Sequence, residues 1–275
     1  MAVRGGEKMI NQTLEKLQAM KQVAMVAEYR RQLEIGAMNE LSFEERLAMI
    51  VDAQWLSRQN ARLKRLLHTA NLRDPAATLS DLSYKPERML DKNQVARLSD
   101  LQWIREGRNL LVTGPTGTGK TYLVSAFGRE ACRAGMTVRC YKMSRLLLNL
   151  SVGRGDGSYE KLIGDLKKPD LLILDDFGLE TLQPLSCLDL YEVVDERRAQ
   201  KKAIAISAQL PVSMWYDTFA DKTIADAIMD RLITGTFRFE LSGPTMRINL
   251  EKLYPADDTA ECPCYTAKNE TASLH

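Results

Sequence analysis

Gly114-Pro115-Thr116-Gly117-Thr118-Gly119-Lys120-Thr121 is a run whose residue types and spacing prescribe a chemistry at every position. The glycines let the backbone curl until successive N–H groups face one point, and a lysine ammonium and a threonine hydroxyl stand directly after them. That set suits the phosphates of a nucleoside triphosphate and a hard divalent cation. Lys120 is expected at the β- and γ-phosphates, and Thr121 is expected to place its hydroxyl on magnesium. A merely ornamental glycine turn would need neither residue. A second constellation is Leu171-Leu172-Ile173-Leu174-Asp175-Asp176, an apolar run that ends in two carboxylates. Alone, it is equally a turn at the end of a strand. With the glycine loop upstream, Asp175 suits the magnesium shell, and Asp176 suits the orientation or activation of an attacking water.

The elements that would carry these groups follow from periodicity. Short apolar runs at Asn109–Thr113, Thr137–Tyr141, Leu171–Leu174, Ala203–Ser207 and Phe237–Leu241 alternate with helical stretches such as Tyr122–Arg133 and Leu188–Gln200. This alternation predicts an α/β fold, a parallel sheet flanked by helices, with ligands beyond the carboxyl ends of the strands. Before it, the pattern from Ile10 to Ile35 is helical. Gly36 and Asn39 are turn residues, and Ser42-Phe43-Glu44-Glu45 has the form of a capping box. Leu47, Ile50, Val51, Trp55, Leu63, Leu66 and Leu67 then continue at helical spacing. Asp74-Pro75-Ala76-Ala77 and Tyr84-Lys85-Pro86 break the pattern, so 74–90 reads as a linker after a small all-helical domain over 1–80.

Composition narrows the partners. Lys and Arg total 38 against 36 for Asp and Glu, so any nucleic-acid surface must be a local patch. Arg58, Arg62, Lys64, Arg65 and Arg73 supply candidates, and Arg58, Arg62 and Arg65 share one helix face. Either that face is simply solvated or it meets DNA phosphates. No stretch has the length of a membrane span, and MAVRGGEKMINQ lacks an apolar signal region, so a cytoplasmic chain without a membrane partner is expected. Five scattered cysteines read as reduced thiols. Cys262 and Cys264 lie close together but lack two further zinc ligands, and they are read as part of a polar, flexible tail over 254–275.

The segments LSFEERLAMIVDAQWL, PAATLSDL, GPTGTGKT, LLILDDFG, QLPVSMWYD, ADAIMDRLI and MRINL together resemble AAA+ proteins of the helicase-loader clade. The likeness is greatest to the IstB-like ATPases, the transposition helper proteins of bacterial insertion sequences. The resemblance implies an AAA+ P-loop NTPase domain over 81–253 that hydrolyses ATP with Mg2+. It also implies self-assembly on double-stranded DNA, largely without regard to sequence, and recruitment or activation of a transposase. The alternative is a replicative helicase loader of the DnaC type, although the N-terminal segments resemble the transposition helper. A third reading is a module that uses ATP only to hold an assembly. Relatives often carry a Thr-Ser-Gln-like run where this chain has Ser207-Ala208-Gln209, and Gln209 is favoured over Ser207 as the γ-phosphate sensor. Arg231 corresponds to an arginine finger that serves a neighbour's ATP, against the alternative of a pair with Asp226 or Asp230 on its own helix. Lys142, Arg145, Arg154 and Lys161 fall where this clade inserts helix for DNA. Gly153 to Gly157 reads as a mobile loop there, and Arg247 is expected near nucleotide or DNA.

Overall fold

The computed structural model describes residues 2–35 and 40–246. Gly36, Asn39, Arg247, Cys262, Cys264 and the tail 254–275 therefore lie outside the described residues. Three helices come first: α1 (Ala2–Ala19), α2 (Val23–Glu34) and α3 (Phe43–Ala70). The single helical run expected from Ile10 to Ile35 is thus divided. Lys21 turns left-handed at φ 58°, and the N–H groups of Lys21 and Gln22 close on the carbonyls of Gln18 and Leu17 at 2.8 and 2.9 Å. A distant residue holds the break open. Gln54 of α3 offers Oε1 to the backbone N–H groups of Ala24 and Met25 at 3.1 and 3.3 Å, satisfying first-turn donors that no local side chain caps. α3 itself starts at its capping box, where Ser42 and Glu45 exchange backbone-to-side-chain bonds of 2.8 and 3.2 Å.

The stretch read as a linker is packed. Leu82 and Leu90 join the main core, Ala77 is fully buried, and Pro86–Arg88 make one 3-10 turn. α4 (Lys92–Leu98) and α5 (Gln102–Arg105) then lead to the first strand. From there strands and helices alternate: β1 (Leu110–Thr113), α6 (Lys120–Arg133), β2 (Val138–Lys142), α7 (Met143–Asp156), α8 (Tyr159–Lys167) and β3 (Leu171–Phe177). α9 (Pro184–Ala199), β4 (Ala203–Ala208), α10 (Lys222–Ile233) and β5 (Phe237–Glu240) complete the order. All pairings are parallel, and the strands stand as β2-β3-β4-β1-β5.

Alternate strand residues feed two cores. Leu110, Val112, Leu171, Ile173, Ala203 and Ala205 pack with α6 and with Leu63, Leu66 and Leu67 of α3. Leu111, Leu172, Leu174, Ile204 and Ile206 pack with α7, α8, α9 and α10 on the other face. A sheet covered on both faces is why its strands read as unbroken apolar runs. Two local expectations change. β3 runs beyond Leu174 to Phe177 and carries both aspartates, with a register shift against β4 between Leu174 and Phe177. The segment read as a mobile loop is largely helix, since α7 continues to Asp156. Gly153 is buried within it, and a Cβ there would lie 3.0 Å from Leu162 Cδ1, so this glycine serves close packing of α7 on α8.

Candidate active site

β1 and α6 hold the glycine loop between them, as the sequence pattern requires. Lys120 is buried, and its Nζ donates to the Pro115 carbonyl at 2.8 Å; Thr118 Oγ1 donates to the same carbonyl at 2.9 Å. Loop and lysine are thereby one piece. The curl of Gly114, Pro115, Thr116, Gly117, Thr118 and Gly119 depends on its three glycines, all at positive φ. The chain after β5 then crosses the loop. Leu241 N–H donates to Thr113 O at 2.8 Å and Met246 N–H to Gly117 O at 2.7 Å. A Cβ on Gly117 would meet Thr245 Oγ1 at 2.2 Å, so glycine is required under that crossing.

Thr121 Oγ1 donates to Asp175 Oδ1 at 2.9 Å, joining the two groups assigned to magnesium. Asp175 is 2% exposed. A hydroxyl beside one carboxylate fits Mg2+, which takes few protein ligands and completes its shell with phosphate and water oxygens. Three other side chains converge on the carboxylates. Ser207 Oγ, fully buried at the end of β4, donates to Asp175 Oδ1 and accepts the Asp176 N–H at 3.2 Å. Lys142, the last residue of β2 and the register partner of Asp175, brings Nζ to 3.3 Å from Asp176 Oδ2. Arg73 Nε lies 3.8 Å from Asp175 Oδ2. Asp176 occupies the left-handed region at φ 59°, which Asp tolerates better than most side chains.

Gln209 stands half-buried just past β4, while Ser207 is the polar group already bonded to both Asp175 and Asp176. The sequence favours Gln209 over Ser207 as the γ-phosphate sensor but leaves the choice open, because Ala208 departs from the Thr-Ser-Gln-like run of relatives. The pairing of Leu174 with Ile206 is what sets Ser207 beside the aspartates. Charge groups Arg73 with the DNA candidates, and the family resemblance adds Lys142; each lies against a carboxylate of the site.

The remaining candidates separate. Arg58, Arg62, Arg65 and Arg145 are exposed. Arg58 bonds Gln22 Oε1 at 3.0 Å, and Arg62 bonds the Gly135 carbonyl at 3.2 Å. Arg154 instead pairs with buried Asp189 of α9 and stacks on Tyr159 with its guanidinium carbon 4.1 Å from the ring centre. Arg231 pairs with neither Asp226 nor Asp230. Its Nε donates to Asp195 of α9 at 2.6 Å, its Nη1 to the Ala227 carbonyl at 2.9 Å, and its Nη2 to Tyr191 Oη at 3.2 Å. Asp230 is taken by Arg198 at 3.0 Å.

The family model for IstB-like ATP binding proteins matches residues 13–253. An insertion sequence ATP-binding protein of Sinorhizobium fredii (strain NBRC 101917 / NGR234) is 38% identical over 237 residues, covering 86% of this chain and 96% of that protein. The ATP-binding protein of insertion sequence IS1162 from Pseudomonas fluorescens is 39% identical over 205 residues, covering 74% and 88%. Among solved structures, DnaI superposes with a TM-score of 0.53 at 21% identity, covering 67% of this chain and 93% of that one. DnaA bound to AMPPCP and single-stranded DNA gives 0.51 at 18% identity, covering 63% and 52%. At such identities the likeness is one of fold, the parallel AAA+ P-loop sheet with its flanking helices. No helix among the described residues is long and apolar enough to cross a membrane. The chain is an ATPase and belongs to the family of IstB-like ATP binding proteins.

Proposed function

We propose that this ATPase assembles with copies of itself on target DNA and recruits or activates a transposase, with ATP hydrolysis as the switch. The observation that carries the reading is the position of Arg231. Its carbonyl accepts from Asn109 Nδ2 at 3.2 Å, at the residue before β1, whereas the phosphate loop begins after Thr113 at the other end of that strand. A strand of this length separates the two by about 15 Å, beyond the reach of an arginine side chain. One subunit therefore holds the loop, Lys120 and both aspartates, and a neighbour supplies the guanidinium. A cavity of about 170 Å3 beside Arg231, also lined by Arg108, Arg198 and Lys202, supports this face as the one that meets a neighbour's phosphates.

In the proposed reaction the loop N–H groups and Lys120 bind the triphosphate; Thr121 and Asp175 would hold Mg2+, which would supply positive charge against the phosphates. Asp176 orients the water, and Ser207 fixes both aspartates relative to each other. Arg231 of the neighbouring subunit exchanges Asp195 for the transferring phosphoryl group, where a permanently charged planar cation stabilises developing charge. Exposed Arg58, Arg62, Arg65 and Arg145 contact phosphates of duplex DNA without reading bases. The relatives that carry insertion-sequence names support transposition as the setting and the transposase as partner.

The test is complementation. Arg231→Ala is expected to bind ATP and hydrolyse it poorly, and Lys120→Ala to fail in binding. Mixed together, they form interfaces that join an intact loop to an intact finger, and part of the DNA-dependent ATPase activity returns. No recovery in mixtures shown to co-assemble would overturn the shared site.

A further inference from the structure

Arg88 belongs to the 3-10 turn in the stretch that reads as a linker, yet it is only 5% exposed. Its Nε donates to the Thr118 carbonyl at 3.1 Å and its Nη1 to the Ser83 carbonyl at 2.8 Å, both neutral acceptors. A Cβ placed on Gly119 would come within 2.6 Å of Nη2, so the guanidinium lies against the last glycine before Lys120. No carboxylate forms an ion pair with Arg88 among the described residues, and burial disfavours its charged form. The crossing segment fixes the same turn from outside: Ser242 N–H donates to Arg88 O at 3.2 Å, and Ser242 Oγ to Glu87 O at 2.5 Å.

An arginine stays charged even when buried, and a buried charge without a counter-ion is among the costliest arrangements in a fold. It persists where an anion balances it in the working state. Here the loop that lies against the guanidinium is the one whose other groups suit a polyphosphate. We infer that Arg88 is a second, buried cation of the nucleotide site, acting on the triphosphate through the loop backbone rather than by contact. It has two effects. It holds the Thr118 carbonyl inward, which leaves the neighbouring N–H groups turned toward the phosphates. It also supplies positive potential from behind the loop, and that potential acts more strongly as the number of phosphate charges rises. Arg88 is therefore a positioning residue, and the inference rests on the phosphate-loop assignment made above.

Competition titrations of ATP, ADP and AMP on the full chain separate this role from simple packing. Arg88→Met is expected to weaken ATP by about tenfold, ADP by less, and AMP by less than about twofold, because the loss follows phosphate charge. Arg88→Lys keeps the charge and is expected to retain most of the ATP affinity. Should Arg88→Met not fold, Arg88→Gln takes its place, with donors but no charge. Equal losses for ATP and AMP, or a lysine variant as weak as the methionine variant, would overturn the inference and leave Arg88 a packing staple. Lys120→Ala measured alongside distinguishes the two assignments. A loss there with none at Arg88→Met rejects only Arg88, whereas no loss at Lys120→Ala rejects the loop itself.

Discussion

Replacing Ser207 with alanine removes one buried oxygen and disturbs both aspartates together. In the structure this hydroxyl donates to Asp175 Oδ1 and accepts the Asp176 N–H at 3.2 Å, at a site with no exposure to solvent. The alanine variant leaves the Asp176 N–H without its acceptor and strips a donor from the Asp175 carboxylate. A bond to a charged group is worth about 1.5–3 kcal/mol, and Thr121 still donates to Asp175 at 2.9 Å, so a net loss of about 2 kcal/mol is expected. Expressed as transition-state positioning, that is roughly a 30-fold fall in kcat. Expressed as stability, it lowers Tm by about 4–8 °C for a chain of this size. ATP affinity measured in EDTA should change little, because Ser207 bonds to neither the loop nor Lys120. Gln209→Ala, assayed in parallel, should cost less than Ser207→Ala. Parental turnover in Ser207→Ala together with a large loss in Gln209→Ala would refute the reasoning and return the sensor role to Gln209.

Asp176→Asn keeps the residue's size but removes its charge, so ATP and Mg2+ binding should persist while turnover falls at least about tenfold; a parental rate in a phosphate-release assay would move water activation elsewhere. Arg154→Met leaves Asp189 buried without its cation. A fully buried pair broken this way costs about 3–5 kcal/mol, but Arg154 is 39% exposed, so about 2 kcal/mol is expected, read as a lower Tm that Asp189→Asn partly restores. An unchanged Tm would free Arg154 for DNA. Charge reversal at Arg58, Arg62 and Arg65 together should weaken binding to unrelated duplexes alike and flatten its salt dependence; an unchanged salt slope in filter-binding titrations would mark that helix face as merely solvated.

Chemistry confined to neighbouring positions is legible in the sequence. The loop from Gly114 to Thr121 and the run into Asp175 and Asp176 require their residues side by side, and the capping box at Ser42 closes within one turn. Groups that meet only through folding are not legible. The division of α1 from α2 rests on Gln54, thirty positions along from Ala24. The packing of 74–90 is not legible either, because Leu82, Arg88 and Leu90 find partners in the nucleotide core. Charge and the family resemblance put Lys142 with DNA, and only strand register puts it opposite Asp175. The same holds for Arg231: its helix is evident, but Asp195 and Tyr191 belong to a different helix, whereas the intramolecular partners open to a sequence reading are Asp226 and Asp230 of its own helix.

The crossing of the phosphate loop by Leu241 to Met246 also sets an order on how the protein is made. β1 and the loop emerge from the ribosome early, yet β1 stays an edge without β5, and Gly117 stays uncovered until Thr245 and Met246 arrive. The nucleotide site is therefore completed only after every other described strand is available to pair. A message truncated just past Arg231 would still encode the glycine loop, both aspartates and Arg231. Its product would lack the strand and the crossing segment that give the loop its shape.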